Sequence, residues 1–227
     1  GLLLTEGESR PQLLVLHPQS SAWICFDNDQ NPGLKQLDES LNALLTQLED
    51  HQIPYHLGDE RIVHRHGGVE GIPARFRVGQ QSYSTVVVPP SLNLSALNME
   101  LLEAFAQAGG KVIFCGQIPT YLEGVASERP AQLANRCQRV EPDQLAAALP
   151  REVKPFTLED SSGSTAGIGA ALRYFPREQR PFTLYYLVNS LERPRELTAV
   201  MEGKRVKQLD YATGQLLDIP AQVEDGA

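Results

Sequence analysis

Cysteine is scarce in this chain, and what there is does not pair. Cys25, Cys115 and Cys137 are odd in number and far apart, so they form neither a disulfide framework nor a CxxC metal pair. They read as small buried hydrophobes, which mildly favours a reducing compartment such as the cytoplasm. No apolar run approaches the ~18 residues needed to span a bilayer, so no membrane partner is expected. The opening GLLLTEGESR has no basic region and no cleavage-like site, and as it stands it does not read as a signal peptide. Positive charge is short as well. Lysine and arginine number 20 against 28 acidic residues, for a net charge of −8, and no basic run occurs. A nucleic-acid binder needs a cationic stripe to neutralise phosphates, and this chain lacks one.

What is present is an alternation of strand and helix signals. QLLVLHP, Gln12–Pro18, is a short apolar run stopped by proline, as a buried parallel strand would be. Leu34, Leu37, Leu41, Leu44, Leu45 and Leu48 then recur at helical spacing and predict an amphipathic helix over 33–52. Ile53–Gly58 reads as a second strand. A hairpin around Gly79 leads into a third, Thr85–Val88, ended by Pro89 and Pro90. Ser95 is a plausible N-cap for a helix that ends at Gly109-Gly110, and Lys111–Gly116 follows as another central strand. RCQRV suggests an edge strand and EPDQLAAAL a short helix. This rhythm predicts an α/β fold over 1–150, an open parallel sheet with helices on both faces and a flavodoxin-like topology. Proline, serine and glycine crowd 151–167, which reads as a linker. From 168 to 227 the pattern becomes a small antiparallel β module, too short for a complete sandwich.

The chemistry-bearing residues gather in YHLGDERIVHRHG, Tyr55 to Gly67, with three histidines, an aspartate and a glutamate. Their spacing argues against a metal site. His64 and His66 share a face only in extended chain, and the helical i, i+4 pair is missing, so both are expected in a loop. Asp59 and Glu60 are adjacent and point apart. DNDQNPG, Asp27–Gly33, imitates a calcium loop but carries Pro32 where the turn needs glycine and Asp38 where the last ligand is usually glutamate. Neither GxGxxG nor GxxxxGK[ST] follows the first strand, where only Ser20 and Ser21 could meet a phosphate. No metal and no cofactor is nominated. Cys115 follows a strand, but no amphipathic helix starts there to activate a thiolate, and an inert core cysteine is the better reading. His17, Trp23, Tyr55, Asp59 and Glu60 remain as candidates for a ligand or domain interface, because strand ends of an open α/β sheet border one crevice. In that reading Trp23 sits half-packed in the loop after the first strand.

LLLTEGESRPQLLVLHPQSSAW, YHLGDE, VGQQSYSTVVVPP, LLEAFAQAGGKVIFCGQIP and YYLVNSLERPRELTAVMEGKRVKQLDYATGQ, in that order, resemble one continuous stretch of large bacterial glycoside hydrolases. The α-L-rhamnosidase type is nearest, with a more distant similarity to the amidotransferase-like domain of β-galactosidases. The resemblance spans nearly the whole chain. It implies a class I glutamine amidotransferase-like α/β domain, then the start of a β-sandwich, beside a (β/α)8 barrel that carries the catalytic carboxylates. On that basis GLLLTEGES is expected to be the tail of a barrel helix and the β module to be cut short. The chain is then a non-catalytic accessory domain of an enzyme acting on plant or bacterial polysaccharide. Its partners would be the barrel or other domains of the parent protein, with a carbohydrate or a second copy as further candidates. Glycoside hydrolysis needs two carboxyls at a set separation, and no such pair is nominated here. Two alternatives stay open: a carbohydrate-binding module using Trp23 and the Asp59-Glu60 edge, and a stand-alone flavodoxin-like or amidotransferase-like enzyme.

Overall fold

The computed structural model describes residues 7–26, 31–160, 172–179, 182–189, 194, 196–201, 203 and 205–222. Strand β1, Leu13–Leu16, leads through His17 and Pro18 into helix α1, Gln19–Cys25. Helix α2, Pro32–Asp50, has Pro32 at its start and buries Leu41, Leu44 and Leu48. Each of these leucines contributes roughly 1.5–3 kcal/mol over an exposed position. Strand β2, Tyr55–Gly58, is followed by helix α3, Glu60–His66. Next come β3 (Gly67–Glu70), β4 (Arg75–Val78) and β5 (Gln81–Tyr83), an antiparallel meander turning at Gly79 with φ 61°. Strand β6, Thr85–Val88, and the short β7, Asn93–Leu94, precede helix α4, Ala96–Gln107. Ser95 caps that helix by accepting from the Asn98 amide at 3.2 Å. Gly109 lies beyond its end with φ 86°, where only glycine is unstrained.

Strand β8, Lys111–Cys115, is followed by the hairpin β9 (Tyr121–Leu122) and β10 (Val125–Ala126), which joins β7. Helix α5, Arg129–Ala134, edge strand β11, Gln138–Val140, and helix α6, Leu145–Ala148, complete the α/β part. The five parallel strands lie in the order β11-β8-β6-β1-β2. The chain moves outward from β1 to β2, returns to β6 on the other side of β1, and then continues through β8 to β11. The connection reverses at β1 and β6, which is where such sheets open a crevice at their carboxyl ends.

Alternation of side chains in extended backbone splits the interior in two. Leu14, Leu16, Val86, Val88, Val112 and Phe114 face Val63 of α3, Met99, Leu102 and Phe105 of α4, and Leu133 of α5. Leu13, Val15, Val87, Ile113 and Cys115 face Leu44 and Leu48 of α2 with Leu145 of α6. Helices cover both faces, as the continuous apolar strands require.

The expected linker opens as ordered chain. A 3-10 turn, Arg151–Val153, buries Val153 against the α2 side of the sheet, and β12, Phe156–Glu159, follows. Phe156 and Leu158 are buried because β12 pairs antiparallel with β15, Thr198–Met201. The Ser- and Gly-rich part of that linker lies outside the described residues. Strands β13, Leu172–Gln179, and β14, Phe182–Asn189, form a second pair, and β16, Lys207–Leu209, with β17, Leu216–Asp218, a third. The β16–β17 pair turns through Thr213-Gly214, with Gly214 at φ 73°.

Candidate functional site

The carboxyl ends of β1 and β2 converge on a polar cluster built from two short helices. Helix α1 has no side-chain cap of its own, since Pro18 precedes it, and only one of its side chains, Ser21, is buried. Helix α3 is capped by Asp59, whose Oδ1 accepts from the amides of Arg61 and Ile62, each at 2.9 Å. The other oxygen of Asp59, Oδ2, accepts from Gln19 Nε2 at 2.7 Å. Glu60, the next residue, reaches across to α1. Its Oε2 accepts from the Ser20 amide at 3.0 Å and its Oε1 from Ser20 Oγ at 2.9 Å.

Adjacent acids therefore do two separate jobs. One caps its own helix, and the other satisfies an orphan amide at the start of the neighbouring helix. Ser21 ties α1 to the start of β7. Its hydroxyl accepts from the amides of Leu92 and Asn93, each at 3.0 Å, and donates to the Asn93 carbonyl at 3.2 Å. Every hydrogen-bonding capacity of that hydroxyl is used.

Electrostatics separates the two acids. The Ile62 amide, then Gln19 and the Arg61 amide, hold the Asp59 carboxyl below its usual range, with His17 helping. Glu60 is 7% exposed and moves the other way. Burial pushes its pKa up, the negative charges of Asp59 and Glu123 add to that, and the Ser20 bonds oppose it. Glu123, in the turn between β9 and β10, is itself held by the Ala96 amide at 2.6 Å.

Among the residues singled out from sequence, His17, Asp59 and Glu60 meet here, with the His17 amide bonded to Gly58 O at 2.9 Å. Tyr55 does not. It opens β2 opposite Leu13, so three residues of strand, about 10 Å, separate it from the carboxyl end. Its hydroxyl donates to Glu49 of α2 at 3.2 Å. Trp23 lies on helix α1, not in a loop, and at 67% exposed it is less packed than expected. Ile24 and Phe26 beside it are also exposed.

His64 and His66 are on α3 instead of in a loop, because Asp59 caps a helix there; both are exposed at its basic end. Asp27 and Asp29 of the calcium-like stretch lie outside the described residues. Asn31, just after them, takes a left-handed conformation ahead of Pro32. Gln19 and Glu123 carry no signal in the sequence, and Ser20 and Ser21 read there only as phosphate contacts. The signal that could have placed them is a pair of serines directly before an apolar AWICF run, a helix whose polar side turns inward.

Cys115 is 1% exposed, and burial, with Glu141 and Asp143 nearby, pushes its pKa up to about 12. Reactive cysteines sit in partly exposed, electropositive surroundings, and Cys115 has neither. Among the described residues no group of three or more His, Cys, Asp or Glu side chains gathers to hold a metal ion. No helix among them is long and apolar enough to cross a membrane. Compared with protein-family models, curated proteins and solved structures, the chain matches none.

Proposed function

We propose that this chain is a flavodoxin-like, class I amidotransferase-like accessory domain of a glycoside hydrolase of the α-L-rhamnosidase type, with no catalytic centre of its own. It would brace a catalytic barrel through the carboxyl edge of its sheet. One observation carries this reading. Helix α1 is turned inside out, with Ser20 and Ser21 bonded inward while Trp23, Ile24 and Phe26 stand in solvent. Apolar side chains grouped on a rim held by polar anchors are what a covered seam between domains presents before it is covered.

Other observations support the same reading. The strand order β2-β1-β6-β8-β11 supports the flavodoxin-like reading, which expects the first strand between the second and third. Cys115 is too deeply buried to act as the amidotransferase nucleophile. Asp59 and Glu60 spend their oxygens on α1 and α3, which leaves them poorly placed to flank a sugar. That last point also weakens the alternative of a carbohydrate-binding module using the Asp59-Glu60 edge.

Three measurements test the proposal. The purified chain is expected to give no turnover on a panel of nitrophenyl glycosides that includes the α-L-rhamnoside; measurable hydrolysis would overturn it. Mixing the chain with a separately produced barrel domain of the α-L-rhamnosidase type should shield Trp23 from acrylamide quenching. A glycan array that binds the chain, with binding lost in Trp23→Ala, would favour the carbohydrate-binding reading instead.

A further inference from the structure

Helix α1 is held mainly by polar groups, with Cys25 half-buried beside Gly33 of α2. Its only buried side chain is Ser21, and its apolar residues Trp23 and Ile24 face outward. Its seat on the sheet depends on Gln19, Ser20 and Ser21, and Ser20 bonds the one charged residue that is buried among the described residues, Glu60. Burial and two nearby acids make that carboxylate hard to keep ionised, and the two Ser20 donors oppose them. Ser20 faces it from α1 and Asp59 from its own helix, while Glu123 faces it from the β9–β10 turn; His17, at the end of β1, acts on Asp59. No lysine or arginine forms an ion pair with Glu60 among the described residues.

We propose that α1 is a proton-controlled flap, seated on the sheet edge when Glu60 is neutral and loosened when Glu60 is ionised. A neutral Glu60 still accepts the Ser20 amide bond, and its own proton can be shared with Ser20 Oγ. An ionised Glu60 is buried with no cation paired to it and is repelled by Asp59 and Glu123, which the two Ser20 donors offset only in part. Lifting α1 lets water hydrate it, so ionisation and release favour each other.

The sign follows from the raised pKa. The stabilisation of the seated form is complete below the ordinary value of 4.5 and is lost as pH rises through the higher value of the seated state. The flap stands without reference to what α1 docks against. Only its consequence, that acidification fixes Trp23, Ile24 and Phe26 as one rigid face, rests on the docking role proposed above.

Trp23 is the one tryptophan in the chain, so its fluorescence anisotropy reports α1 alone. The experiment follows that anisotropy from about pH 4 to about pH 8 on the isolated chain, with far-UV circular dichroism confirming that the fold persists. The wild type should lose anisotropy in a one-proton transition with its midpoint above 4.5. Glu60→Gln should hold the low-pH value throughout, and His17→Gln should keep the wild-type transition. A flat wild-type profile, a transition surviving in Glu60→Gln, or one abolished by His17→Gln would each overturn the flap.

If Glu60→Gln fails to fold, Ser20→Ala decides. Without the hydroxyl that favours the charged carboxylate, its midpoint should move upward. An unmoved midpoint would overturn the proposal. None of these readings uses a partner, so a failed docking experiment and a failed flap remain distinguishable.

Discussion

In β1 and β6 every side chain is buried, whereas in β14 Phe182, Tyr186, Leu187 and Val188 all stand exposed. Both regions are rich in apolar residues, so composition alone does not separate them. The difference lies in what each strand is packed between. β1 and β6 are central strands with a helical layer on either face, and alternate residues enter two cores. Among the described residues β14 pairs only with β13, and the β12–β15 pair contributes a small core of Phe156 and Leu158, with Tyr185 stacked on Phe156 at 5.3 Å between ring centroids. A two-stranded pair cannot bury both its faces. The α/β region closes on itself, and the β region presents surface that a further layer could cover.

That contrast can be broken deliberately. Phe105→Ala should have the largest effect. Its ring is fully buried and meets Phe76 edge-on at 5.6 Å between centroids. Truncation should cost about 3–5 kcal/mol in urea unfolding followed by circular dichroism. Ser21→Ala should rank second at about 1–3 kcal/mol, because the Leu92 and Asn93 amides would lose their acceptor in a buried place. A loss as large as that of Phe105→Ala would show that α1 is part of the core and not an addition to its edge.

Asp59→Ala should cost about 1 kcal/mol, the usual value of an N-cap. Its pH dependence carries a sign. Asp59 is held below the ordinary 3.8, so its contribution is present above that value and is lost as pH falls through the lowered one. The gap between wild type and Asp59→Ala should therefore narrow on acidification. Phe182→Ser should have the smallest effect, within about 0.5 kcal/mol, because the side chain is exposed. A large loss there would mean that β14 is already covered in solution, for example by a second copy, and a concentration-dependent sedimentation coefficient would detect that.

Much of the α/β region was legible in the residues themselves. The apolar runs at Leu13–Leu16, Thr85–Val88 and Lys111–Cys115 became the central strands, and the leucine spacing of α2 produced the face that packs on them. Ser95 capped α4 as its chemistry requires. Legibility failed at the short helices. Seven residues are too few for a helical period to emerge, and α1 reverses the usual polarity, so AWICF looked like loop. The cap formed by Asp59 was hidden because the same residue also ends a strand, and with it went the helical state of His64 and His66.

What the sequence determined by itself is the sheet and its layers, because burial on two faces demands continuous apolar strands and burial on one face demands a helical stripe. What only the tertiary structure decided is the arrangement at the sheet's carboxyl edge. Parallel pairing of β2 with β1 put Tyr55 at the entry of the strand and Asp59-Glu60 at its exit. Packing of α1 against α3 then turned two neighbouring acids into one cap and one buried clamp. Those contacts join residues 40 positions apart in the chain, Ser20 to Glu60 and Gln19 to Asp59. Local spacing holds no record of such distances, and only the folded sheet brings them within a hydrogen bond.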